Sequence, residues 1–324
     1  MPGGPVRALP KDLRRLLRRE SARLAGAGFI AYTGGMTHRR PPHRALAALA
    51  CAALLLGACA TNVAGRKQFM LVSEQSAIAQ SKQAYVQTMG KLDSEGKLVT
   101  DPKLVQRVDE ITGRLIAQAI LYRPETKDWE WSVRIIDEPK TVNAWCMAGG
   151  RMALYTGLIQ QIDPTDDELA QVMGHEISHA LLNHTAERMS MAIAAQLGAV
   201  ATGVATDSGA AMAGAAALGE LGLMLPNSRG SEAEADRIGM EIAAKAGYDP
   251  RAAATLWQKM EKAGGKGPPQ FLSTHPSPAN RQQTLAALAP TMMPYYEQGG
   301  ERPVYRLAAT PTAKPPKGSK AAVR

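Results

Sequence analysis

Cysteine is scarce in this 324-residue chain, and no apolar run in it is long. Of the three cysteines, Cys51 lies inside an apolar leader and Cys59 at its end, which leaves Cys146 as the one thiol in the body of the chain. A disulfide framework is therefore excluded, and stability has to come from burial and from a metal. Cys146 also makes a poor nucleophile, because its strand-like apolar surroundings supply nothing to lower its pKa. The leader's apolar run, residues 45–56, is shorter than the ~18 residues a membrane-spanning helix needs. The Ala- and Gly-rich stretch 193–225 is interrupted by Gln196, Asp207 and Glu220. It reads as a packed helical hairpin or lid, with a membrane-dipping segment as the alternative. Charge of one sign is missing as well, although the formal net charge is +9. Residues 1–59 hold ten Lys or Arg against Asp12 and Glu20, leaving 28 basic and 27 acidic residues downstream. That balance gives no field to recruit nucleic acid. There is no internal repeat, and 45% hydrophobic with 21% charged residues is ordinary globular composition.

Arg39, Arg40 and Arg44 stand before the apolar run, and the small residues Gly57 and Ala58 follow it. This is a secretory signal layout. The tetrad Leu56-Gly57-Ala58-Cys59 is similar to a bacterial lipobox, in which the Cys is acylated and becomes the first mature residue. The expected organisation is an upstream mis-start over 1–35, a lipoprotein signal peptide over 36–58 and a tether over 59–72. Lipid on Cys59 would anchor the chain, and Ala60 in place of Asp implies the outer membrane, facing the periplasm. An ordinary cleaved signal is the alternative.

The body, residues 73–298, reads as one domain. Ser73 caps a helix to about Leu92, and Asp101-Pro102 opens another with an apolar stripe from Leu104 to Ile116. Residues 129–135 alternate apolar and polar as a half-buried strand does. Two more strands, 142–147 and 152–155, flank a Gly149-Gly150 turn, giving a small antiparallel sheet. Thr165 with Glu168 forms a capping box ahead of a long helix, and Ser231 with Glu234 repeats that spacing before a helix closed by Gly247. Further helices are expected over 251–262 and from Ser277-Pro278 to about Leu288. Residues 299–324 are rich in Pro, Lys and Ala and read as a disordered tail.

The string His175-Glu176-Ile177-Ser178-His179 has the form HExxH. Helix positions four apart share a face with ~6 Å of rise between them, so two imidazoles can converge on one ion. Glu176 then falls beside the ion's open position, where a carboxylate can take a proton from water. A catalytic zinc needs a third protein ligand. His184 lies ~180° round the helix and ~13 Å along it from His175, and Glu187 lies ~18 Å along, so neither reaches. The ligand has to come from another element. Glu232 and Asp236 share a face of the later capped helix, whereas Glu234 points ~160° away. Glu232 is the expected ligand, Asp236 the acceptor that fixes an imidazole tautomer, and Glu234 a solvated acid in a first turn.

With HExxH followed about fifty residues on by Ser231-Glu232-Ala233-Glu234-Ala235-Asp236, the chain resembles the membrane-associated zinc metallopeptidases that include HtpX and the CAAX prenyl endopeptidases. Within that family it is most similar to the BepA and LoiP type of bacterial envelope peptidase, over roughly residues 65–289. The resemblance implies an α+β, mainly helical HExxH zincin domain, gluzincin-like, with its small antiparallel sheet packed on the active-site helix. It implies one Zn2+ per chain, held by His175, His179 and Glu232, and a metalloendopeptidase activity with Glu176 as base. Asn143-Ala144-Trp145, then Gly149-Gly150-Arg151, is similar to the family's edge strand, where substrate backbone adds as a strand. Ala148 stands where the family often has Pro. Thr274-His275-Pro276 and Arg281 match a motif near the cleft. His275 either gates the metal or supports the oxyanion, and Arg281 is the other candidate for the oxyanion. Implied substrates are unfolded or misassembled envelope proteins, with the outer-membrane assembly machinery as a candidate partner. Two alternatives remain open: a zinc-binding assembly factor or chaperone with little proteolysis, and a structural zinc module with His275 as fourth ligand.

Overall fold

The structure, a computed structural model, describes residues 59–206, 226–263, 270–276 and 280–307. The expectations for the leader up to residue 58, for residues 207–225, for the Ser277-Pro278 helix start and for the tail beyond 307 lie outside the described residues. The strands are β1 (Cys59–Thr61), β2 (Lys67–Phe69), β3 (Ser132–Ile136), β4 (Ala144–Met147) and β5 (Arg151–Tyr155). The helices are α1 (Glu74–Ser94), α2 (Pro102–Tyr122), α3 (Thr156–Ile162), α4 (Asp166–Leu181), α5 (His184–Thr206), α6 (Arg229–Ala246), α7 (Ala252–Ala263), α8 (Gln270–Thr274) and α9 (Arg281–Glu297). The expected mainly helical α+β class holds. No described helix is long and apolar enough to cross a membrane.

Everything is organised around α4. Its start is fixed by the capping box: the Glu168 N–H donates to Thr165 Oγ1 at 3.2 Å and the Thr165 N–H to Glu168 Oε2 at 2.9 Å. Asp166, Asp167 and Glu168 add negative charge where the helix dipole favours it. Every residue from 168 to 181 is buried, because α2, α6, α7 and β4 close around the helix. The closest approach is to α6, where Gly174 and Gly239 meet back to back. A Cβ on Gly239 would lie 2.7 Å from the His175 backbone nitrogen, and one on Gly174 would lie 2.8 Å from the Gly239 carbonyl oxygen. Only glycines allow two helix backbones this near, and the contact sits one residue from His175.

The sheet differs from the antiparallel one expected. Its order is β3-β5-β4, with β4 antiparallel to β5 through a turn at Gly149 (φ 85°) and Gly150 (φ 81°), but β3 is parallel to β5. Met152, Ala153 and Leu154 of β5 are wholly buried, so the most deeply buried strand takes the centre and separates the other two. β3 also starts three residues later than the alternation implied. Residues Pro124–Asp128 form a 3-10 turn, and Thr126 O accepts from Trp131 Nε1 at 2.8 Å, pinning the indole before the strand begins. β4 is thereby left as an edge strand beside α4.

Three further readings change. The stretch expected as a tether contains the β1–β2 hairpin, held down where Gln68 Nε2 donates to Leu182 O at 2.8 Å. α6 starts at Arg229 rather than near Ser231, with Ser228 Oγ accepting from the Ser231 N–H at 3.1 Å. Residues 299–307, expected to be disordered, lie on the body. Arg302 Nη1 donates to the Ala244 carbonyl at 2.8 Å beside the α6 terminus, and the Tyr305 N–H bonds Gly113 O at 2.9 Å.

Candidate active site

The α4–α6 crossing places His175, His179 and Glu232 together, as the spacing required. His175 Nε2 and His179 Nε2 are 3.0 Å apart, with Glu232 Oε2 3.4 Å from the first and Oε1 3.3 Å from the second. Donors bound at ~2.0–2.1 Å at the corners of a tetrahedron are separated by ~3.3 Å, so this set fits zinc without rearrangement. Glu232 is 1% exposed and the two imidazoles 5% and 3%, burial that isolated ionisable groups do not tolerate without a counter-charge.

A fourth group completes the set. His275 Nδ1 lies 2.9 Å from Glu232 Oε1 and 3.3 Å from His175 Nε2, again tetrahedral-edge distances. Its ring stacks on Phe271 at 4.4 Å and 20°. The four donor atoms lie within 4.8 Å of one another. His275 therefore stands at a fourth corner of the set, beside His175, His179 and Glu232.

Glu176 lies on the same helix, with Oε1 3.3 Å from His275 Nε2. Burial pushes its carboxyl above the ordinary carboxylate range, an effect the imidazoles of His275 and His175 partly offset. Among the described residues that Oε1 makes no hydrogen bond of good geometry, the His275 ring being at ion-pair distance only.

Asp236 sits on the other side of His175, its Oδ1 3.0 Å from Nδ1, which leaves Nε2 directed at the cluster. Burial pushes metal-free His175 down, but the Glu232 charge and hydrogen bonds to Asp236 and Glu232 outweigh this and hold its pKa up, to about 9. Burial, reinforced by the nearby His175 and His184 rings, outweighs the Glu232 charge and drives His179 well below its ordinary value.

Arg281 binds the two carboxylates of α6. Its Nη1 reaches Glu232 Oε2 at 3.1 Å and its Nη2 reaches Asp236 Oδ1 at 2.5 Å, while the guanidinium lies 3.8 Å over the Trp257 ring. It is behind the ligands and holds two carboxylates in place.

Asn143, Ala144 and Trp145 line a groove of about 440 Å³ that also contains Glu176, His179 and His275. Cys146 lies in the same strand, buried, and burial with the nearby Glu176 charge pushes its thiol well above the usual value.

Two features escaped the sequence reading. Asn227, just before α6, has Nδ2 3.4 Å from His179 Nε2 and 3.3 Å from His275 Nδ1. His184 is nowhere near the far side of α4, because the helix stops at Leu181 and Asn183 takes a left-handed conformation (φ 58°). The chain turns back and sets His184 Nδ1 2.7 Å from His179 Nδ1. The Asn that directly follows Leu181-Leu182 was the available signal for that stop.

The family model described as peptidase family M48 matches residues 102–289, more than half of the chain. The chain belongs to peptidase family M48. It is 40% identical to the mitochondrial metalloendopeptidase OMA1 of Arabidopsis thaliana over 159 residues, 48% of this chain and 31% of that protein. It is 31% identical to mitochondrial metalloendopeptidase OMA1 of Homo sapiens over 244 residues, 70% of this chain and 45% of that one. With the beta-barrel assembly-enhancing protease of Escherichia coli it shares 29% over 222 residues, 65% of this chain and 44% of the relative. The chain thus covers less than half the length of each of these relatives. M48 membership bears out a metalloendopeptidase-type domain. The narrower likeness to HtpX, the CAAX endopeptidases and LoiP is not what these relatives carry.

One expectation is overturned. The address at the outer membrane, lipid-anchored and facing the periplasm, does not hold, because the OMA1 relatives from plant, animal and yeast are named as mitochondrial. That address rested on a four-residue motif and the residue after it, too short a signal to outweigh similarity extending over most of the chain.

Proposed function

We propose that this M48 protein is a zinc-dependent endopeptidase that cleaves extended segments of unfolded or misassembled cell-envelope proteins. The observation that carries the chemistry is the tetrahedral-edge spacing of His175, His179 and Glu232 with Glu176 beside them. Those three side chains would hold the zinc. When bound, zinc acts as a Lewis acid toward the scissile carbonyl and makes water nucleophilic near neutral pH. Glu176 accepts the proton of the attacking water and hands it to the leaving amine, and its raised pKa suits both transfers. Asp236 and Arg281 keep His175 and Glu232 in place while this happens. The edge of β4 lays an extended backbone along Asn143, Ala144 and Trp145. An edge strand reads backbone, so a segment already free of its own structure is preferred. The name of the beta-barrel assembly-enhancing relative supports the choice of envelope proteins as substrates.

The test is Glu176→Gln in purified protein. The variant keeps one zinc per chain while losing hydrolysis of an unfolded protein by about 10²–10⁴-fold. Full activity in that variant would remove Glu176 from the reaction.

A second reading has one observation in its favour: His275 fills the fourth corner, as in a structural zinc site or in an assembly factor that rarely cuts. In the reading preferred here His275 marks a resting state and withdraws as substrate enters, which its position just after the five-residue α8 permits.

A further inference from the structure

Behind His179 runs a chain of polar groups that the proposed reaction does not use. His184 is 1% exposed, and its Nδ1 lies 2.7 Å from His179 Nδ1. On its other side His184 Nε2 is 3.0 Å from Glu234 Oε2. Glu234 in turn accepts from Arg66 Nε at 2.5 Å and from Asn62 Nδ2 at 2.9 Å. Arg66 is the hub of the outer end, since its two terminal nitrogens also donate to Glu187 at 2.8 and 2.6 Å. Asn62 and Arg66 belong to the turn of the β1–β2 hairpin, so the chain runs unbroken from the N-terminal hairpin to the candidate metal site.

Proton bookkeeping gives this chain a direction. Two ring nitrogens 2.7 Å apart need one proton between them, one ring donating and the other accepting. If His179 donates from Nδ1, its Nε2 carries a lone pair toward the metal, and His184 accepts at Nδ1. His184 must then bear its own proton on Nε2, where the Glu234 carboxylate accepts it. In the reverse arrangement a proton on His179 Nε2 would block the metal, and His184 Nε2 would turn a lone pair on Glu234. A carboxylate at 3.0 Å that is held anionic by Arg66 and Asn62 disfavours that second arrangement.

We propose that His184 and Glu234 are positioning residues of the metal site, selecting the tautomer and ring orientation of His179 that leave Nε2 free for zinc, with Arg66 tying the relay to the hairpin. The inference rests on His179 being a zinc ligand. Asp236 performs the corresponding service for His175 through one direct contact, so the two ligands on α4 are supported by different devices.

The test uses the full chain, metal-free and reloaded with zinc. Zinc affinity is measured by chelator competition for wild type, His184→Leu, His184→Gln and Glu234→Gln, with thermal melts of the metal-free forms. His184→Leu should bind zinc about 10–100-fold more weakly. His184→Gln, which can still accept from His179 Nδ1, should recover most of that loss. Glu234→Gln can turn its amide N–H toward His184 and permit the blocked tautomer, so it too should weaken binding. On zinc-loaded wild type, imidazole ¹⁵N shifts should show His184 protonated at Nε2 and not at Nδ1, a readout independent of whether any variant folds. Tight zinc binding by wild type with affinities within twofold in His184→Leu and Glu234→Gln would overturn the proposal and leave the metal site standing. So would the opposite His184 tautomer. Failure of wild type itself to bind zinc would remove both the site and this inference.

Discussion

Replacing Gly239 by Ala tests whether the helix crossing sets the geometry of the site. The new Cβ would lie 2.7 Å from His175 N, 2.8 Å from His175 Cα and 2.9 Å from Gly174 C, where ordinary contacts begin at 3.4 Å. All three neighbours are backbone, so no side chain can swing away and the helices must part by about 0.7 Å. Overpacking of this kind costs about 1–3 kcal/mol, and the better helix propensity of Ala returns up to ~1 kcal/mol. The protein should therefore still fold, less stable by about 0–2 kcal/mol. The metal site should suffer more, because ligand distances tolerate only about 0.2 Å. We expect zinc affinity to fall about 10–100-fold, or ~1.4–2.7 kcal/mol, in a chelator competition. Gly90→Ala is the control. It lies in α1, and a Cβ there meets nothing within 4 Å, so stability should rise by up to ~1 kcal/mol with zinc affinity unchanged. A folded Gly239→Ala protein with wild-type zinc affinity would refute the claim that the Gly174–Gly239 contact positions the ligands.

Other outcomes follow from the same geometry. With metal-free His175 held up to about 9, zinc must displace its proton, so apparent affinity should rise about tenfold per pH unit from 7 to 9 and level off above; a flat profile would contradict the charge assignment. Burial pushes Glu234 up, but hydrogen bonds from His184, Asn62 and Arg66 outweigh it and hold the pKa at about 2. Its stabilising contribution is thus present above the ordinary value of 4.5 and lost as pH falls toward 2, on the order of 1–2 kcal/mol once solvent screening of Arg66 is allowed for. Acid unfolding of the metal-free protein should show that loss in wild type and not in Glu234→Gln. His275→Ala should retain zinc and raise hydrolysis of an unfolded protein severalfold if His275 marks a resting state; loss of zinc with no gain in hydrolysis would favour the structural site.

What the sequence made legible was local chemistry. The capping box at Thr165 and Glu168, the four-residue spacing of His175 and His179, and the shared face of Glu232 and Asp236 are all fixed by helix periodicity, and the structure places those side chains as that periodicity demands. What was not legible depended on where a helix stops or which neighbour a segment finds. A single left-handed residue, Asn183, reverses the chain and turns His184 from a distant group into a partner of His179. Glu234, which points away from the cluster, reads as solvated until Arg66 arrives from about 170 residues earlier in the chain. β3 pairs with β5, past β4 in sequence, and the central place goes to the strand buried on both faces, a matter of tertiary burial and not of strand pattern. Arg281 carries no local mark of its position, and only the packing of α9 on α6 shows that it faces two carboxylates and a Trp ring.

X-ray absorption at the zinc edge of the loaded protein tests the central claim most directly. The account predicts one zinc per chain with imidazole nitrogens and a carboxylate oxygen at ~2.0–2.2 Å in tetrahedral array, and loss of the oxygen neighbour in Glu232→Ala. Zinc that binds with the same coordination in Glu232→Ala, or a wild-type chain that takes up none, would contradict it.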